Sequence, residues 1–199
     1  DALANIDFAT RTEKDEHRTL EIVRIGTCGG MQEDIPLGTF LVSEKSIGWD
    51  GVLAFYEGRD EIADLGFEDA LVDFIHYPAK AARPYVLAAP AELVNRIAGD
   101  AMMRGCTIAA NGFYGPQGRV LRCDLAVKDI NERITDFRYE GQRITNYEME
   151  GSAIAGLSLL MGHKAMTVCC VIAQRKVEAA NTDYKPRIKQ LVQTALERI

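Results

Sequence analysis

Two glutamates that stand two residues apart are the first groups in this sequence that could do chemistry. Glu148 and Glu150 lie in the stretch NYEMEG at 146–151, just ahead of the small, apolar run SAIAGLSLLMG. On a strand, both carboxylates would point to one face and Met149 to the other. Such a pair can serve acid–base catalysis, hold a metal or accept hydrogen bonds from sugar hydroxyls. It can also cap a helix that begins near Glu150, where negative charge is favourable.

A glycine-rich stretch, RIGTCGG at 24–30, follows an apolar strand and could bind an anion. Gly26 would let backbone N–H groups come close to a ligand, and the Thr27 hydroxyl would add a donor. Arg24 could direct a fork of N–H groups at a phosphate. The stretch lacks the spacing of a P-loop or a dinucleotide-binding motif. A purely structural turn is the alternative.

Two further strand ends carry polar residues. The loop GFYGPQGR at 112–119 combines the aromatic Phe113 with Gln117 and Arg119. A glutamine amide offers both a donor and an acceptor to a planar ligand, and an arginine can stabilise a carbonyl oxygen or a developing anion. The run VCCVIAQR at 168–175 is a buried strand that reaches the surface near Arg175. An exposed loop and a simple strand end are the alternatives.

The elements that must position these groups alternate between strands and helices, which predicts an α/β fold. Because ligands gather at the carboxyl ends of strands in such folds, the four polar stretches could share one site. The apolar patterns predict one domain over 1–199, with residues 49–84 irregular. The predicted strands are 20–30, which runs into a turn at its glycines, 37–48, 85–90, 106–115, which leads into the loop at 112–119, 143–150 and 164–175. The predicted helices are 90–105, 124–141, with Gly141 as its stop, 151–162 and 183–199.

Composition and charge disfavour several classes of function. The net charge is −6 and there is no basic run, which argues against binding nucleic acid through its phosphates. No segment approaches the ~18 consecutive apolar residues that span a bilayer, so no membrane is expected as a partner. The five cysteines form no C-x-x-C pair, which favours reduced thiols in a cytoplasmic protein. His17, His76 and His163 are scattered, so we expect no metal site.

Taken together, RIGTCGG, GFYGPQGR, NYEMEG and VCCVIAQR resemble the nucleoside phosphorylase family, and in particular its uridine phosphorylase branch. The resemblance extends from near residue 20 to about residue 185. It implies a three-layer α/β fold with a central mixed β-sheet flanked by helices. The implied reaction is reversible phosphorolysis, in which uridine and inorganic phosphate, the co-substrate, give uracil and ribose 1-phosphate without a cofactor. It also implies a homo-oligomer, a dimer or a hexamer of dimers, with shared active sites.

The resemblance gives each motif a role, and it makes Arg24, Arg119 and Glu150 the catalytic residues. The implied phosphate ligands are Arg24, Gly26 and Thr27. The implied ribose ligands are Thr27, Glu148, Met149 and Glu150. The implied uracil contacts are Phe113, Gln117, Arg119, Ile172 and Ala173. Arg175 is expected to support Arg119 or the loop beside it.

Other members of the family remain as alternatives. Purine-cleaving members carry an aspartate just after the last strand, as an acid toward the purine. This chain reads Ala173-Gln174-Arg175 there, and its nearest acids are Glu178 and Asp183. That difference disfavours a purine nucleoside phosphorylase or a nucleosidase, although a broader specificity stays open. The small Ala173 predicts tolerance of uracils substituted at position 5, such as thymine.

The start of the chain departs from the family pattern. The family usually opens with a strand and a Gly-Asp-Pro-x-Arg loop that binds phosphate, whereas this sequence begins at Asp1 within what reads as a later helix. From the resemblance we expect the N-terminal part of the domain to be absent and phosphate to bind weakly to this chain. A homologue that keeps the fold without catalysis is therefore a third alternative.

Overall fold

The computed structural model describes residues 1–176 and 179–199 and contains ten strands and seven α-helices in that part of the chain. The strands are β1 Ile6–Asp7, β2 Thr12–Glu13, β3 Glu21–Gly30, β4 Phe40–Gly48, β5 Tyr85–Ala88, β6 Met103–Ala109, β7 Arg138–Tyr139, β8 Gln142–Glu148, β9 Lys164–Gln174 and β10 Ala179–Ala180. The helices are α1 Ala2–Asn5, α2 Arg59–Ile62, α3 Leu65–Ile75, α4 Ala91–Ala98, α5 Ile130–Asp136, α6 Gly151–Leu160 and α7 Lys185–Leu196.

One mixed sheet forms the centre of the molecule, as the family resemblance implies. Its strand order is β10-β9-β3-β8-β6-β4-β5, with β7 paired to β8. The pairs β3–β9, β4–β6 and β6–β8 are parallel, and the pairs β3–β8, β4–β5 and β4–β9 are antiparallel. Because the start of β4 also pairs with β9, the sheet curls back on itself. The strand ends that carry the polar motifs can therefore surround one space.

Helices cover the sheet on two sides and bury separate apolar clusters. One cluster joins α3 and α5 to β4, β5, β6 and β8, and a second joins α4 and α7 to β4 and β9. Cys169 and Cys170 illustrate the division, since they are adjacent in β9 and belong to different clusters. Their opposite orientation confirms β9 as a strand that is covered on both faces.

The helix predicted over 90–105 ends at Ala98, and β6 already begins at Met103. Three other stretches of the sequence-based prediction are wrong. Residues 49–84 are not irregular, because they contain α2, α3 and a 3-10 turn at Val52–Phe55. The glycines of 24–30 do not form a turn. Strand β3 continues to Gly30, since β9 pairs with it as far as Gly30–Gln174 and β8 pairs with its last two residues. Pairing on both sides thus outweighs the weak strand propensity of glycine.

The third error concerns the helix expected over 124–141. Only Ile130–Asp136 is helical, and β7 follows it. Glu140 and Gly141 then connect β7 to β8, and both have positive φ angles, 49° and 78°. A two-residue loop with this geometry is a hairpin turn that suits the twist of paired strands. Gly141 therefore lies in the turn between two paired strands and does not end a helix.

Candidate active site

The polar strand ends line one cavity. Its volume is about 510 Å³, and its walls come from β3, the loop after β6, the junction of β8 with α6, the end of β9 and the start of α7. Every residue that the sequence analysis assigned to a site lines this cavity, with the exception of Arg175. The lining residues are Arg24, Gly26, Thr27, Cys28, Gly29, Phe113, Gln117, Arg119, Tyr147, Glu148, Met149, Glu150, Ile172, Ala173, Tyr184 and Ile188.

Arg24 and the two glutamates form an ion-pair network, which we call the Arg24 cluster (Arg24, Glu148 and Glu150). Arg24 Nη1 lies 3.0 Å from Glu148 Oε2, and Arg24 Nη2 pairs with Glu150 Oε2. Although burial alone would lower the pKa of Arg24, the nearby carboxylate of Glu148 raises it above its usual range. The guanidinium is therefore held in its charged form at the wall of the cavity.

Gly26 is needed because the Arg24 side chain folds back over it. The two residues share one face of β3, two positions apart. A Cβ atom at Gly26 would lie 2.7 Å from Arg24 Nη1 and 2.9 Å from Arg24 Nη2. The sequence predicts that this glycine makes room for a ligand. In the structure, the room beside Gly26 is occupied by the guanidinium of Arg24.

The two glutamates do not share one face of a strand, which corrects the prediction from their spacing. Strand β8 ends at Glu148, and Glu150 is the N-cap residue of α6. The side chain of Glu148 is 1% exposed and that of Glu150 is 58% exposed. The backbone N–H groups of Glu150 and Gly151 donate to the Glu148 carboxylate at 2.9–3.0 Å. Glu148 thus caps α6 from inside, while Glu150 is the accessible carboxylate.

A second group of side chains, the Gln117 cluster (Gln117, Arg119 and Arg175), forms another part of the wall. Gln117 is 4% exposed, and its Oε1 accepts hydrogen bonds from Arg119 Nη1 at 2.7 Å and from Arg175 Nη2. Arg175 Nη1 also donates to the Gln117 backbone oxygen at 2.8 Å. Because two guanidinium groups occupy the amide oxygen, the Nε2 group is the polar atom that Gln117 can offer to a ligand.

The Gln117 cluster is strongly electropositive. Burial, together with the neighbouring charge of Arg119, lowers the pKa of Arg175 to about 10. Burial also lowers the pKa of Arg119. The Arg175 guanidinium lies 4.7 Å from the ring centroid of Tyr147, a cation–π distance that helps to hold it in place. Two crowded cations beside an amide N–H group favour a ligand atom that carries or develops negative charge.

Phe113 does not present a bare ring to the cavity. The Cζ atom of Arg119 lies 3.8 Å from the Phe113 ring centroid, and Arg119 also donates to the Phe113 backbone oxygen. Arg119 therefore connects Phe113 with Gln117. The family resemblance implies that Phe113 and Arg119 each contact uracil. The structure shows that the two side chains stack on each other.

Sequence reasoning missed five of the lining residues, which are Cys28, Gly29, Tyr147, Tyr184 and Ile188. Tyr184 and Ile188 are four positions apart at the start of α7, so they share one helical face. That spacing was visible in the sequence, but nothing in it indicated that this face meets β3. Tyr147 was hidden by its position inside the motif that holds the two glutamates.

Among the described residues, acids and potential metal ligands are few around this cavity. Glu148 and Glu150 are the carboxylates among the lining residues, and both belong to the Arg24 cluster. Asp183 is exposed and does not line the cavity, while Glu178 lies outside the described residues. Within 1–176 and 179–199, no group of three or more His, Cys, Asp or Glu side chains could hold a metal ion. Over the same residues, no helix has the length and apolar character needed to cross a bilayer.

Comparisons with known proteins place the chain in a family. A family model described as the phosphorylase superfamily matches residues 4–199. Uridine phosphorylase from Thermococcus kodakarensis is 26% identical over 155 residues, which cover 77% of this chain and 48% of that protein. Uridine phosphorylase from Haemophilus influenzae is 25% identical over 153 residues, which cover 77% of this chain and 53% of that protein. The chain thus spans about half the length of these curated relatives.

Solved structures show the same fold. A Trypanosoma brucei nucleoside phosphorylase, described as showing uridine phosphorylase activity, matches with a TM-score of 0.81 and 24% identity, over 98% of this chain and 73% of that one. Isoform 2 of uridine phosphorylase from Schistosoma mansoni, in complex with citrate, matches with a TM-score of 0.61 and 23% identity, over 91% of this chain and 59% of that one. These likenesses confirm the α/β fold with a central mixed sheet.

Proposed function

Because the chain belongs to the phosphorylase superfamily, we propose that it carries the nucleoside site of a uridine phosphorylase. The reaction is the reversible phosphorolysis of uridine to uracil and ribose 1-phosphate, a step in the degradation or salvage of pyrimidine nucleosides. The observation that carries the proposal is that one cavity is lined by both the Arg24 cluster and Gln117 with Arg119. Those groups suit the opposite charges that develop on the two halves of a nucleoside when its glycosidic bond breaks.

The Arg24 cluster suits the phosphate and the ribose. Arg24, with Gly26 and Thr27 beside it on β3, binds the attacking phosphate, which adds to the anomeric carbon from the side opposite the base. The exposed carboxylate of Glu150 accepts hydrogen bonds from ribose hydroxyls, and these bonds strengthen as the sugar becomes cationic. Met149, which is 40% exposed, supplies an apolar surface next to the ribose. The contact between Arg24 and Glu150 supports this assignment, because phosphate and ribose must meet at one carbon atom.

The Gln117 cluster suits the base. As the C–N bond breaks, its electron pair moves to the uracil ring, and the ring oxygens gain negative charge. The Nε2 group of Gln117 and the guanidinium of Arg119 stabilise that charge, so the leaving uracil needs no separate proton donor. Ile172 and Ala173, at the end of β9, and Phe113 form the apolar walls beside the ring. Arg175 acts through Gln117, to which it donates two hydrogen bonds.

The remaining features of the proposal follow the family resemblance. Inorganic phosphate is a co-substrate, and no cofactor takes part. The protein works as a homo-oligomer, a dimer or a hexamer of dimers, with active sites shared between subunits. It works in the cytoplasm, which agrees with the five cysteines being free thiols and with the reducing conditions of that compartment.

The proposal is tested by following the loss of uridine absorbance with and without phosphate, beside inosine as the competing substrate. The protein is expressed from its complete reading frame. We expect uridine cleavage that requires phosphate and yields ribose 1-phosphate, with inosine a poor substrate because no acid among the described lining residues faces the base. Phosphate-independent cleavage would identify a nucleosidase, and preferred cleavage of inosine would identify a purine phosphorylase. The absence of turnover of either nucleoside would overturn the proposal.

A further inference from the structure

The buried carboxylate of Glu148 holds two parts of the cavity wall at once. Its Oε2 atom lies 3.0 Å from Arg24 Nη1 and 2.9 Å from the backbone nitrogens of Glu150 and Gly151. Its Oε1 atom accepts a further hydrogen bond from Gly151 at 3.0 Å. One carboxylate therefore touches both the guanidinium of Arg24 and the first turn of the helix that carries Glu150.

Two glycines leave the space that this arrangement needs. A Cβ atom at Gly151 would lie 3.0 Å from Glu148 Oε1 and 2.7 Å from the hydroxyl of Thr167. A Cβ atom at Gly26 would lie 2.7 Å from Nη1 of the Arg24 guanidinium. Neither position accepts even a methyl group unless one partner of the Arg24–Glu148 pair moves. The Arg24–Glu148 pair therefore occupies space that is free because positions 26 and 151 carry no side chain.

The opposite charges of Arg24 and Glu148 stabilise each other. Burial raises the pKa of Glu148, while the backbone N–H groups and Arg24 act to lower it. A buried carboxylate without partners would be strongly unfavourable, so Glu148 depends on Arg24 and on the helix start. The Glu148 side chain is 1% exposed, and its oxygens already accept these hydrogen bonds. Glu148 therefore has little capacity to accept further hydrogen bonds from sugar hydroxyls.

We propose that Glu148 is a positioning residue, which fixes the guanidinium of Arg24 relative to the helix start that carries Glu150. The inference rests on the proposed function, and it replaces the ribose contact that the family resemblance implies for Glu148. Holding Arg24 in advance places the phosphate beside the ribose, so less ordering is needed when the substrates bind. The phosphate affinity of the site should therefore depend on the length of the Glu148 side chain as well as on its charge.

Glu148→Asp tests this dependence, because it keeps the negative charge and shortens the side chain by one methylene. The shorter carboxylate cannot reach both Arg24 and the helix N–H groups. We expect the KM and the calorimetric Kd for phosphate to rise about tenfold, the effect of losing about 1.4 kcal/mol of binding free energy. The KM for uridine should stay within about twofold, because under this proposal the Glu148 side chain makes no ribose contact to lose.

Two further variants complete the design. Glu150→Asp is the matched control, since the same shortening of the exposed carboxylate should raise the KM for uridine. Gly26→Ala keeps the Glu148 side chain but displaces Arg24 from its contact with it, so it should raise the phosphate Kd even if Glu148→Asp fails to fold. A rise in the uridine KM of Glu148→Asp equal to that of Glu150→Asp would show a ribose contact and overturn the inference. An unchanged phosphate Kd in Glu148→Asp, or in Gly26→Ala if Glu148→Asp does not fold, would also overturn it.

The two proposals can fail separately. If the wild-type protein binds phosphate without cleaving uridine, the proposed function fails, and the phosphate Kd of Glu148→Asp still decides the role of Glu148. If the wild-type protein cleaves uridine and the variant keeps its phosphate affinity, only the inference about Glu148 fails. If the wild-type protein does not bind phosphate at all, the inference about Glu148 fails with the phosphate site.

Discussion

At the scale of single residues, the cavity depends on guanidinium groups that several neighbours hold in place. Arg24 is bound by two carboxylates, and Arg175 by both the backbone oxygen and the amide oxygen of Gln117. The planar fork of arginine makes such double contacts possible, whereas the single ammonium of lysine does not. An exchange of arginine for lysine should therefore change function here without removing the charge.

Arg175→Lys is the corresponding prediction at the Gln117 cluster. Lysine cannot donate to both oxygens of Gln117 at once, so the amide gains freedom to rotate and the loop loses one support. We expect the KM for uridine to rise about tenfold, the effect of losing one hydrogen bond to a charged group, while the KM for phosphate stays unchanged. Steady-state kinetics with each substrate varied in turn would measure both constants.

Arg143→Lys is a matched control for that change. Arg143 makes a two-bond contact with Asp34 at 2.9 and 2.6 Å, but its side chain is 31% exposed and it does not line the cavity. This exchange should leave both KM values unchanged. Equal effects of the two exchanges, or a uridine KM that Arg175→Lys does not alter, would contradict the role given to Arg175.

At the scale of elements, helix α3 depends on a cap that also pairs with a strand. Asp64 Oδ1 accepts the N–H of Phe67 at 3.0 Å, and Asp64 Oδ2 lies 2.6 Å from Lys45 Nζ on β4. Partial burial alone would raise the pKa of Asp64, but the bonds from Lys45 and the helix start lower it overall. The charged form is therefore favoured by folding, and its contribution to stability must depend on pH.

Asp64→Asn should lower the free energy of unfolding by about 1 kcal/mol at pH 7, the upper part of the range for partly exposed ion pairs. Asparagine still caps the helix, so the loss is that of the pair with Lys45. Because folding lowers the Asp64 pKa, the stabilisation is complete above the unfolded value of about 3.9 and disappears as the pH falls through the lower folded value. Urea unfolding at pH 7 and near pH 3 would show the difference between wild type and variant shrinking.

Asp60→Asn serves as the control, since Asp60 is 74% exposed and pairs with its neighbour Arg59. That variant should match the wild type at both pH values. A stability difference for Asp64→Asn that persists unchanged near pH 3 would assign the effect to capping or packing. The ion pair with Lys45 would then contribute nothing measurable.

How much the sequence revealed differs from one element to the next. Strand β9 was predictable because its apolar run is continuous, and α6 because its small residues precede Gly162. Helix α3 also has a readable pattern, with the cap Asp64 followed by Phe67 and Leu71 at helical spacing, but nearby glycines and prolines concealed it. The full length of β3 could not be read, since partner strands distant in sequence stabilise its glycines.

Prediction of the site from the sequence has the same limit. The strand-end positions of the four motifs, together with the family resemblance, were sufficient to predict which positions gather, and the structure brings them to one cavity. Their pairwise contacts could not be predicted. Nothing in the chain indicates that Arg24 meets Glu148, that Arg119 stacks on Phe113, or that Gln117 accepts from two arginines. Such contacts depend on the relative placement of β3, β8 and β9, which only the folded sheet determines.

At the scale of the whole molecule, the closure of the sheet explains why these motifs meet. Because β4 pairs with both β6 and β9, the strands form a curved wall whose ends surround the cavity, and α7 adds Tyr184 and Ile188. The chain belongs to the phosphorylase superfamily over residues 4–199, and it spans about half the length of the curated relatives described above. The central claim is that phosphate and uracil bind in this one cavity, at the Arg24 and Gln117 clusters.

A crystal structure of the protein with uracil and phosphate bound tests this claim most directly. We predict that the phosphate lies within hydrogen-bonding distance of Arg24 and Thr27. A uracil oxygen should accept from Gln117 Nε2, and the Glu148 carboxylate should keep its contacts to Arg24 and to the start of α6. Uracil bound at the Arg24 cluster, or either ligand bound outside the cavity, would contradict the account.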